Sequence, residues 1–403
     1  MTTENTEVME GVDTNEDIYD SSYEIHSWDE LVLDTNLLRG IFSYGYEKPS
    51  PIQQRAIKPI MSGRDVVAQA QSGTGKTATF TIGALSNIDI TKNYTQVLVL
   101  SPTKELTLQT AKVFESLGGM MDGLKVQCLY GGSIIEEGSS FSNRNVPHVI
   151  CGCPGRVFDM MRREKITSKK INLIILDEAD EMLSAGFKDQ VYNIFQYLKV
   201  DVQVVLSSAT LPESINSIIT KIMRDPIKIM VKREMLTLEG IKQYFIAVDD
   251  DRQKYATLKD LFSYLSIAQC IIYCNSVKRV EDLYEAMKED EFPVCRIHSH
   301  IDKTEREYAF NDFRVGKSRV LISSNVTARG IDIQQVSVVI NFDIPKCVHT
   351  YLHRIGRSGR WGRKGVGINF ITRRDVSKMK EIETHYSTQI SEMPSDLGFL
   401  TNC

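Results

Sequence analysis

The 403-residue sequence lacks the patterns of membrane, secreted and zinc-binding proteins. No apolar run approaches the length of a membrane span, and the first residues have neither the basic nor the apolar character of a secretory signal, so we expect no membrane partner. The eight cysteines lack the paired spacing of a zinc site, which favours reduced thiols in an intracellular protein. Because no basic localisation cluster occurs, we expect a cytoplasmic protein, with a nuclear location as the alternative.

Basic residues are also absent from positions 1–24, which hold eight acidic residues. The formal net charge of the whole chain is −4, and without this segment it would be +4. The average charge therefore argues against a broadly basic nucleic-acid-binding surface. We expect residues 1–24 to form an acidic, disordered tail.

Length and hydrophobic patterning predict two α/β domains. A chain of 403 residues is too long for one ordinary core, and 42% hydrophobic and 25% charged residues are globular values. Short apolar runs alternate with helical patterns, which predicts parallel sheets with helices on both faces and ligands at the carboxyl ends of the strands. We expect a first domain over residues 25–231, a linker over 232–240 and a second domain over 241–403.

A phosphate-binding loop follows the first apolar run, at residues 66–68, and precedes a helical pattern. Its glycines allow backbone N–H groups to surround an anion, while Lys76 supplies charge and Thr77 a hydroxyl for Mg²⁺. Ala70 stands where the usual pattern has its first glycine, so a flexible turn is the alternative. The loop consists of Ala70, Gln71, Ser72, Gly73, Thr74, Gly75, Lys76 and Thr77.

Two carboxylates follow a second apolar run, at residues 173–176, which predicts a buried strand. Asp177 can hold Mg²⁺ through water, and Glu178 can orient or deprotonate a water that attacks a γ-phosphate. The alternative is that acidic residues here simply begin a helix. The phosphate-binding loop makes that alternative the weaker one.

Other loops predict further contacts. At residues 45–53, a turn holds Tyr46 near Gln53, and glutamine can read a purine edge, although a structural turn explains the prolines equally well. The loops at 101–106, 131–132 and 153–156 suit a sugar-phosphate backbone, although each could be an ordinary turn. In the second domain, the segments at 328–332 and 353–360 gather arginines around glycines, either as an arginine finger or as a basic surface helix.

In this order the motifs resemble those of the DEAD-box RNA helicases, and most of all the group of translation initiation factor 4A and its nuclear relatives. The likeness begins at Trp28 and continues to the C-terminus. It implies two RecA-like domains that close over ATP, Mg²⁺ and single-stranded RNA, with RNA-stimulated hydrolysis and local duplex unwinding. It also implies an activating protein partner, such as a scaffold of the initiation complex. The alternatives are a nuclear relative acting in ribosomal RNA processing or on spliced messages, and a non-hydrolysing RNA-binding scaffold.

The resemblance assigns roles to individual residues. The catalytic set is Lys76, Asp177, Glu178, Arg357 and Arg360. The nucleotide-binding set is Trp28, Tyr46, Gln53, the loop Ala70 to Thr77, Gly330 and Asp332, with Mg²⁺ on Thr77 and Asp177. The RNA-binding set is Pro102, Thr103, Lys104, Gly131, Gly132, Pro154, Gly155, Arg156, Arg306 and Ser324. The set that couples closure to strand separation is Asp180, Ser208, Thr210 and His353.

Several positions depart from the family pattern, and we expect all of them to lie on the RNA-binding or interdomain side. Lys104 replaces an arginine, which keeps the charge but loses the forked donor geometry. The other departures are Cys153, Ser299, His300, Lys303 and Asn325. We therefore expect ATP turnover to be better preserved than duplex unwinding.

Overall fold

The computed structural model describes residues 21–70, 73–132, 146–183, 186–230, 241–264, 269–325, 336–358 and 365–394. Within these ranges the chain forms two seven-stranded sheets in which every strand pairing is parallel. This confirms the predicted fold of two tandem parallel sheets flanked by helices. The domain boundaries stay predictions, and the predicted linker at 232–240 lies outside the described residues.

The first sheet and its helices make up the first domain. Its strands are β1 (Val66–Gln69), β2 (Val97–Leu100), β3 (Val126–Leu129), β4 (Val149–Gly152), β5 (Leu173–Asp177), β6 (Gln203–Ser208) and β7 (Ile227–Met230). Its helices are α1 (Thr35–Ser43), α2 (Pro51–Met61), α3 (Lys76–Leu85), α4 (Lys104–Leu117), α5 (Pro154–Arg162), α6 (Ala179–Met182), α7 (Lys188–Tyr197) and α8 (Glu213–Ile222). Short 3₁₀ helices lie at Ser21–Tyr23, Trp28–Glu30 and Ser168–Lys170.

The second sheet and its helices make up the second domain. Its strands are β8 (Ile241–Ala247), β9 (Cys270–Tyr273), β10 (Val294–Ile297), β11 (Val320–Ser323), β12 (Val338–Asn341), β13 (Gly365–Ile371) and β14 (Ser391–Glu392). Its helices are α9 (Gln253–Tyr264), α10 (Val277–Glu289), α11 (Lys303–Arg314), α12 (Val348–Ile355) and α13 (Val376–Tyr386).

The two sheets have the same strand order. It is β3-β4-β2-β5-β6-β1-β7 in the first sheet and β10-β11-β9-β12-β13-β8-β14 in the second, so each strand of one has an equivalent in the other. Both faces of each sheet are buried: Val66 and Ala68 pack into one cluster and Val67 into the opposite one. This explains why the central strands are continuous apolar runs instead of alternating ones.

Capping side chains set the first residue of some of the helices that follow the strands, among them α4 and α11. Thr103 accepts from the N–H of Leu106 at the start of α4, over 3.3 Å, and Asp302 accepts from the N–H of Thr304 at the start of α11, over 2.8 Å. Such caps fix where each helix starts and therefore where the loop before it lies. No helix in the described part of the chain is both long and apolar enough to span a membrane.

Candidate functional site

The predicted phosphate-binding loop joins β1 to α3, with Gln71 and Ser72 outside the described residues. Gly73 and Gly75 have φ angles of 84° and 97°, which residues with side chains rarely adopt. A Cβ atom on Gly75 would also lie 2.7 Å from Nε2 of Gln53. Glycine is therefore required at this position, and the loop leads the free N–H groups of the α3 N-terminus to the carboxyl end of the sheet.

Lys76 and Thr77 are the first two residues of α3. The buried ammonium of Lys76 donates to the carbonyl oxygen of Ala70 over 2.6 Å, which folds the side chain back across the loop. The charge of Lys76 acts to lower the pKa of Asp177, so the ammonium lies within electrostatic reach of that carboxylate. A cation and a helix N-terminus thus face the same small space, which suits an anion.

The turn before α2 is fastened to this loop. Ser50 Oγ donates to the carbonyl oxygen of Thr74 over 2.8 Å, and the N–H of Ser50 donates to Oε1 of Gln53 over 2.7 Å. The buried indole of Trp28 donates to the carbonyl oxygen of Tyr46 over 2.9 Å. Burial raises the pKa of the Tyr46 phenol to about 12, so it stays neutral. The structure thus brings Gln53 to the loop and places Trp28 behind Tyr46, inside the core.

Two buried carboxylates lie at the end of β5. Oδ1 of Asp177 accepts from Ser207 Oγ over 3.0 Å and from the N–H of Glu178 over 3.1 Å. Burial, followed by the charge of Glu178, raises the pKa of Asp177 to about 7. Glu178 has a left-handed backbone with a φ of 52°, and its buried Oε2 has no hydrogen-bond partner among the described residues. Backbone strain and an unsatisfied buried oxygen in one residue indicate function instead of stability.

The four predicted coupling residues lie together at the contact between the domains. Oδ2 of Asp180 accepts from Thr210 Oγ1 over 2.6 Å and lies 3.0 Å from Nε2 of His353, which α12 carries from the second domain. Ser208 Oγ donates to the carbonyl oxygen of Thr210 over 2.7 Å. Asp180 and His353 are both buried, so one carboxylate oxygen joins Thr210, in the loop after β6 of the first domain, to α12 of the second.

Arg357 follows α12 and also approaches the first domain. Its Nε donates to the carbonyl oxygen of His353 over 3.2 Å. Burial lowers its pKa, and the charges of Tyr273 and Glu178 oppose that shift, so the guanidinium lies within electrostatic reach of Glu178. The remaining predicted residues of the second half-site, Gly330, Asp332 and Arg360, lie outside the described residues.

The sequence analysis gave no role of its own to Arg354, one of the arginines of the segment 353–360, and the structure places it inside the second domain. Its guanidinium is fully buried and donates five hydrogen bonds of 2.6–3.1 Å, all to neutral oxygens. The acceptors are the side chains of Asn275, Asn325 and Asn341 and the carbonyl oxygen of Asp343. The departure at Asn325, expected at a binding surface, therefore contacts a buried arginine within one domain.

The predicted RNA-binding residues of the first domain follow three neighbouring strands, β2, β3 and β4. Thr103 caps α4, after which Lys104 is the first helical residue; Gly132, with a φ of 76°, follows β3. Pro154, Gly155 and Arg156 begin α5. Pro102 and Gly131 lie in the loops beside them. Because neighbouring strands end at one edge, these loops form one continuous surface.

The second domain contributes Arg306 and Ser324 at the equivalent edge. Arg306 donates to the carbonyl oxygen of His298, just after β10, over 3.2 Å. The N–H of Ser324, just after β11, donates to the carbonyl oxygen of Ile297 over 3.3 Å. Lys104 of the first domain forms an ion pair with Glu307 of α11, so the two predicted RNA-binding surfaces meet.

Comparison with known proteins identifies the family. The model of the DEAD/DEAH box helicase domain matches residues 50–218, and that of the helicase conserved C-terminal domain matches residues 253–362. The ATP-dependent RNA helicase eIF4A of Saccharomyces cerevisiae is 49% identical over 98% of this chain and 100% of its own length. The ATP-dependent RNA helicase fal1 of Schizosaccharomyces pombe is 49% identical over 97% of this chain and 98% of its own length.

A solved structure supports the same conclusion. The Saccharomyces cerevisiae protein Dbp5, bound to RNA and ADP BeF3, is 34% identical, with a TM-score of 0.86 over 92% of this chain and 96% of the Dbp5 chain. Fold, motif order and full-length identity therefore agree. The chain belongs to the DEAD-box family of ATP-dependent RNA helicases, in the group of translation initiation factor 4A.

Proposed function

We propose that the chain couples ATP hydrolysis to local separation of RNA strands, and that it does so in translation initiation. The buried contact of His353 with Asp180 carries this proposal, because it ties the second domain to the carboxylates beside the phosphate-binding loop. Two relatives named eIF4A, of which one is 49% and the other 50% identical, support the assignment to initiation. The ATP-dependent RNA helicase fal1 is also 49% identical, so identity alone does not separate initiation from the nuclear activities that the sequence leaves as the alternative.

The residues around the loop fit ATP and Mg²⁺. Gln53 lies against Gly75 and would hold adenine together with Tyr46, while Lys76 and the N–H groups of the loop would hold the phosphates. Mg²⁺ prefers hard oxygen ligands, which Thr77 and Asp177 supply as a hydroxyl and a carboxylate. When bound, Mg²⁺ neutralises charge on the phosphate oxygens.

Glu178 is the residue that would orient and deprotonate the attacking water. Its left-handed backbone turns the side chain out of the strand direction, and its Oε2 is buried with no partner among the described residues. A carboxylate with an unsatisfied oxygen can accept a proton from water at low desolvation cost. Arg357, within electrostatic reach of Glu178, would stabilise negative charge that develops on the transferred phosphate.

Closure would be coupled to this chemistry through Asp180. The Asp180 carboxylate accepts from Thr210 within the first domain and contacts His353 of the second. The position of α12 would therefore depend on Asp180 and on the loop after β6 that holds Thr210. RNA would bind along the loops after β2, β3 and β4 and beside Arg306 and Ser324. Backbone N–H groups and cations there would hold phosphates without reading bases.

Steady-state ATP hydrolysis with and without single-stranded RNA tests the proposal. We expect stimulation by RNA, and we expect Lys76→Ala to abolish it. Hydrolysis that ignores RNA would contradict the coupling. A translation extract depleted of its own eIF4A tests the cellular assignment: the chain should restore translation, and failure to do so with active enzyme would favour the nuclear alternative.

A further inference from the structure

The RNA side of the molecule contains a second contact between the domains. The ammonium of Lys104, at the start of α4, forms an ion pair with the carboxylate of Glu307 on α11. Lys104 also lies 4.9 Å from the centre of the Tyr130 ring. Only 16% of the Lys104 side chain is exposed, whereas 55% of the Glu307 side chain is. The lysine is therefore enclosed between an aromatic ring of its own domain and a carboxylate of the other.

A lysine is an unfavourable first residue for a helix, because the helix dipole is positive at that end. A partner carboxylate removes this disadvantage, and here it comes from the second domain. The pair lies among the loops assigned to RNA, whereas the contact of His353 with Asp180 lies beside the nucleotide loop. The two contacts therefore hold the closed arrangement at two separate places.

We propose that the Lys104–Glu307 pair stabilises the closed arrangement before RNA binds, and that an RNA phosphate then competes with Glu307 for Lys104. Both partners of the lysine would be anions of similar size. A lysine is a point charge without the fork with which an arginine can engage two anions side by side. RNA thus replaces an internal carboxylate instead of filling an unused position, and Glu307 sets the RNA concentration at which this happens.

The competition between RNA phosphate and Glu307 rests on the proposed RNA role of Lys104, whereas the stabilisation of the closed arrangement by the ion pair does not. ATP hydrolysis without RNA tests that stabilisation. For a partly exposed pair, we expect Lys104→Gln and Glu307→Gln each to lower the RNA-free rate by about two- to fivefold. The double variant should be no slower than either single one, since both changes remove the same contact. Exchanging the charges, with Lys104→Glu and Glu307→Lys together, should restore the RNA-free rate.

The RNA concentration that gives half-maximal stimulation of ATP hydrolysis tests the competition between RNA phosphate and Glu307. Glu307→Gln should lower it, because the competitor of phosphate is gone, and Lys104→Gln should raise it, because the phosphate ligand is gone. Opposite shifts from two variants with the same RNA-free rate cannot arise from general loss of stability. The charge-exchanged protein should keep the weak RNA response, because a glutamate then occupies position 104.

Glu305→Gln is the matched control. It lies on the same helix, and its carboxylate pairs 3.3 Å from Arg296 within the second domain, so both readouts should stay unchanged. Additive losses in the double variant, or no rescue by the charge exchange, would overturn the interdomain pair. Parallel shifts in RNA response for Lys104→Gln and Glu307→Gln would overturn the competition. If RNA fails to stimulate even the unaltered protein, the proposed function is wrong. The RNA-free rates would still show whether the Lys104–Glu307 pair stabilises the closed arrangement.

Discussion

The two domains share one strand order, yet they treat the acidic residues at equivalent strand ends in opposite ways. In the first domain, β5 ends at Asp177 and is followed by Glu178, of which a buried oxygen has no hydrogen-bond partner among the described residues. In the second domain, β12 is followed by Asp343, whose two oxygens are fully engaged. Its partners are Lys254 at 3.3 Å, Arg279 at 2.6 and 2.7 Å, and the N–H of Asn275 at 3.0 Å. One carboxylate is available for chemistry, and the other holds its domain together.

The loops after the equivalent strands β1 and β8 differ in the same sense. After β1 comes the glycine-rich loop at 70–77, which suits a phosphate. After β8 come Asp249, Asp250 and Asp251, of which Asp250 caps the N–H of Arg252 over 2.8 Å and Asp251 pairs with Lys254 over 2.9 Å. Three acidic residues would repel a phosphate. We expect the second domain to donate arginines to a nucleotide bound by the first domain, which would make closure a condition of catalysis.

The largest effect should follow from Glu178→Gln. If the unsatisfied oxygen is the proton acceptor, RNA-stimulated hydrolysis should fall by about 10²- to 10⁴-fold. The thermal midpoint should stay the same or rise, because the change removes a buried carboxylate oxygen that has no hydrogen-bond partner among the described residues. Multiple-turnover kinetics and differential scanning calorimetry measure the two quantities. Unchanged turnover would show that another group handles the water.

The matched change in the second domain, Asp343→Asn, should lower the stability of that domain and leave ATP hydrolysis per folded molecule nearly unchanged. It leaves the partly exposed Asp251 as the one carboxylate partner of the buried Lys254 ammonium among the described residues, and breaking a buried ion pair costs about 3 kcal/mol. Urea unfolding followed by a probe in the second domain should show the loss, while hydrolysis per folded molecule changes little. A loss of turnover without a loss of stability would mean that Asp343 is not merely structural.

Local sequence patterns predicted those features of the two domains whose residues are contiguous in the chain. The phosphate-binding loop and the carboxylates after β5 were predicted from contiguous residues, and β1 and β5 before them were predicted because buried parallel strands are apolar runs. The strands β7 and β14 were not predicted: β7 is a four-residue segment interrupted by Lys228, and β14 consists of two polar residues, so neither forms a continuous apolar run. The roles of Arg354 and Glu307 were also out of reach, because their partners lie on distant segments that only the tertiary structure brings together.

The contact between the domains should be more sensitive than either domain alone. His353→Ala removes a buried partner of Asp180, and a hydrogen bond to a charged group is worth enough for a loss of about tenfold in RNA-stimulated turnover. The RNA-free KM for ATP should move little, since the phosphate-binding loop is untouched. His385→Ala is the control, because His385 is an exposed residue of α13. Equal losses of RNA-stimulated turnover in both variants would show that the contact of His353 with Asp180 has no specific role in coupling.

The smallest expected effect concerns Arg354, a buried cation with only neutral acceptors. Burial lowers its pKa to about 10, so the charged form is held at some cost. Asn325→Asp would place a carboxylate where the amide oxygen lies 2.6 Å from the guanidinium, and position 325 is exposed enough to keep the desolvation cost low. We expect a gain of about 1 kcal/mol for the second domain, since hydrogen bonds to charged groups exceed neutral ones by roughly that amount.

Asn311→Asp is the matched control for this last change. It adds the same charge 3.1 Å from Arg314 on the exposed side of α11, where a pair contributes at most about 0.5 kcal/mol. Urea unfolding of the two variants, measured side by side, compares the stability gained by adding a carboxylate next to a buried guanidinium with that gained next to an exposed one. A larger gain at 311 than at 325, or a loss at 325, would mean that the amide acceptors already satisfy Arg354 better than a carboxylate does. Because Arg354 lies between His353 and Arg357, a second domain stabilised there should also hold α12 more firmly, and RNA-stimulated turnover should rise with the thermal midpoint.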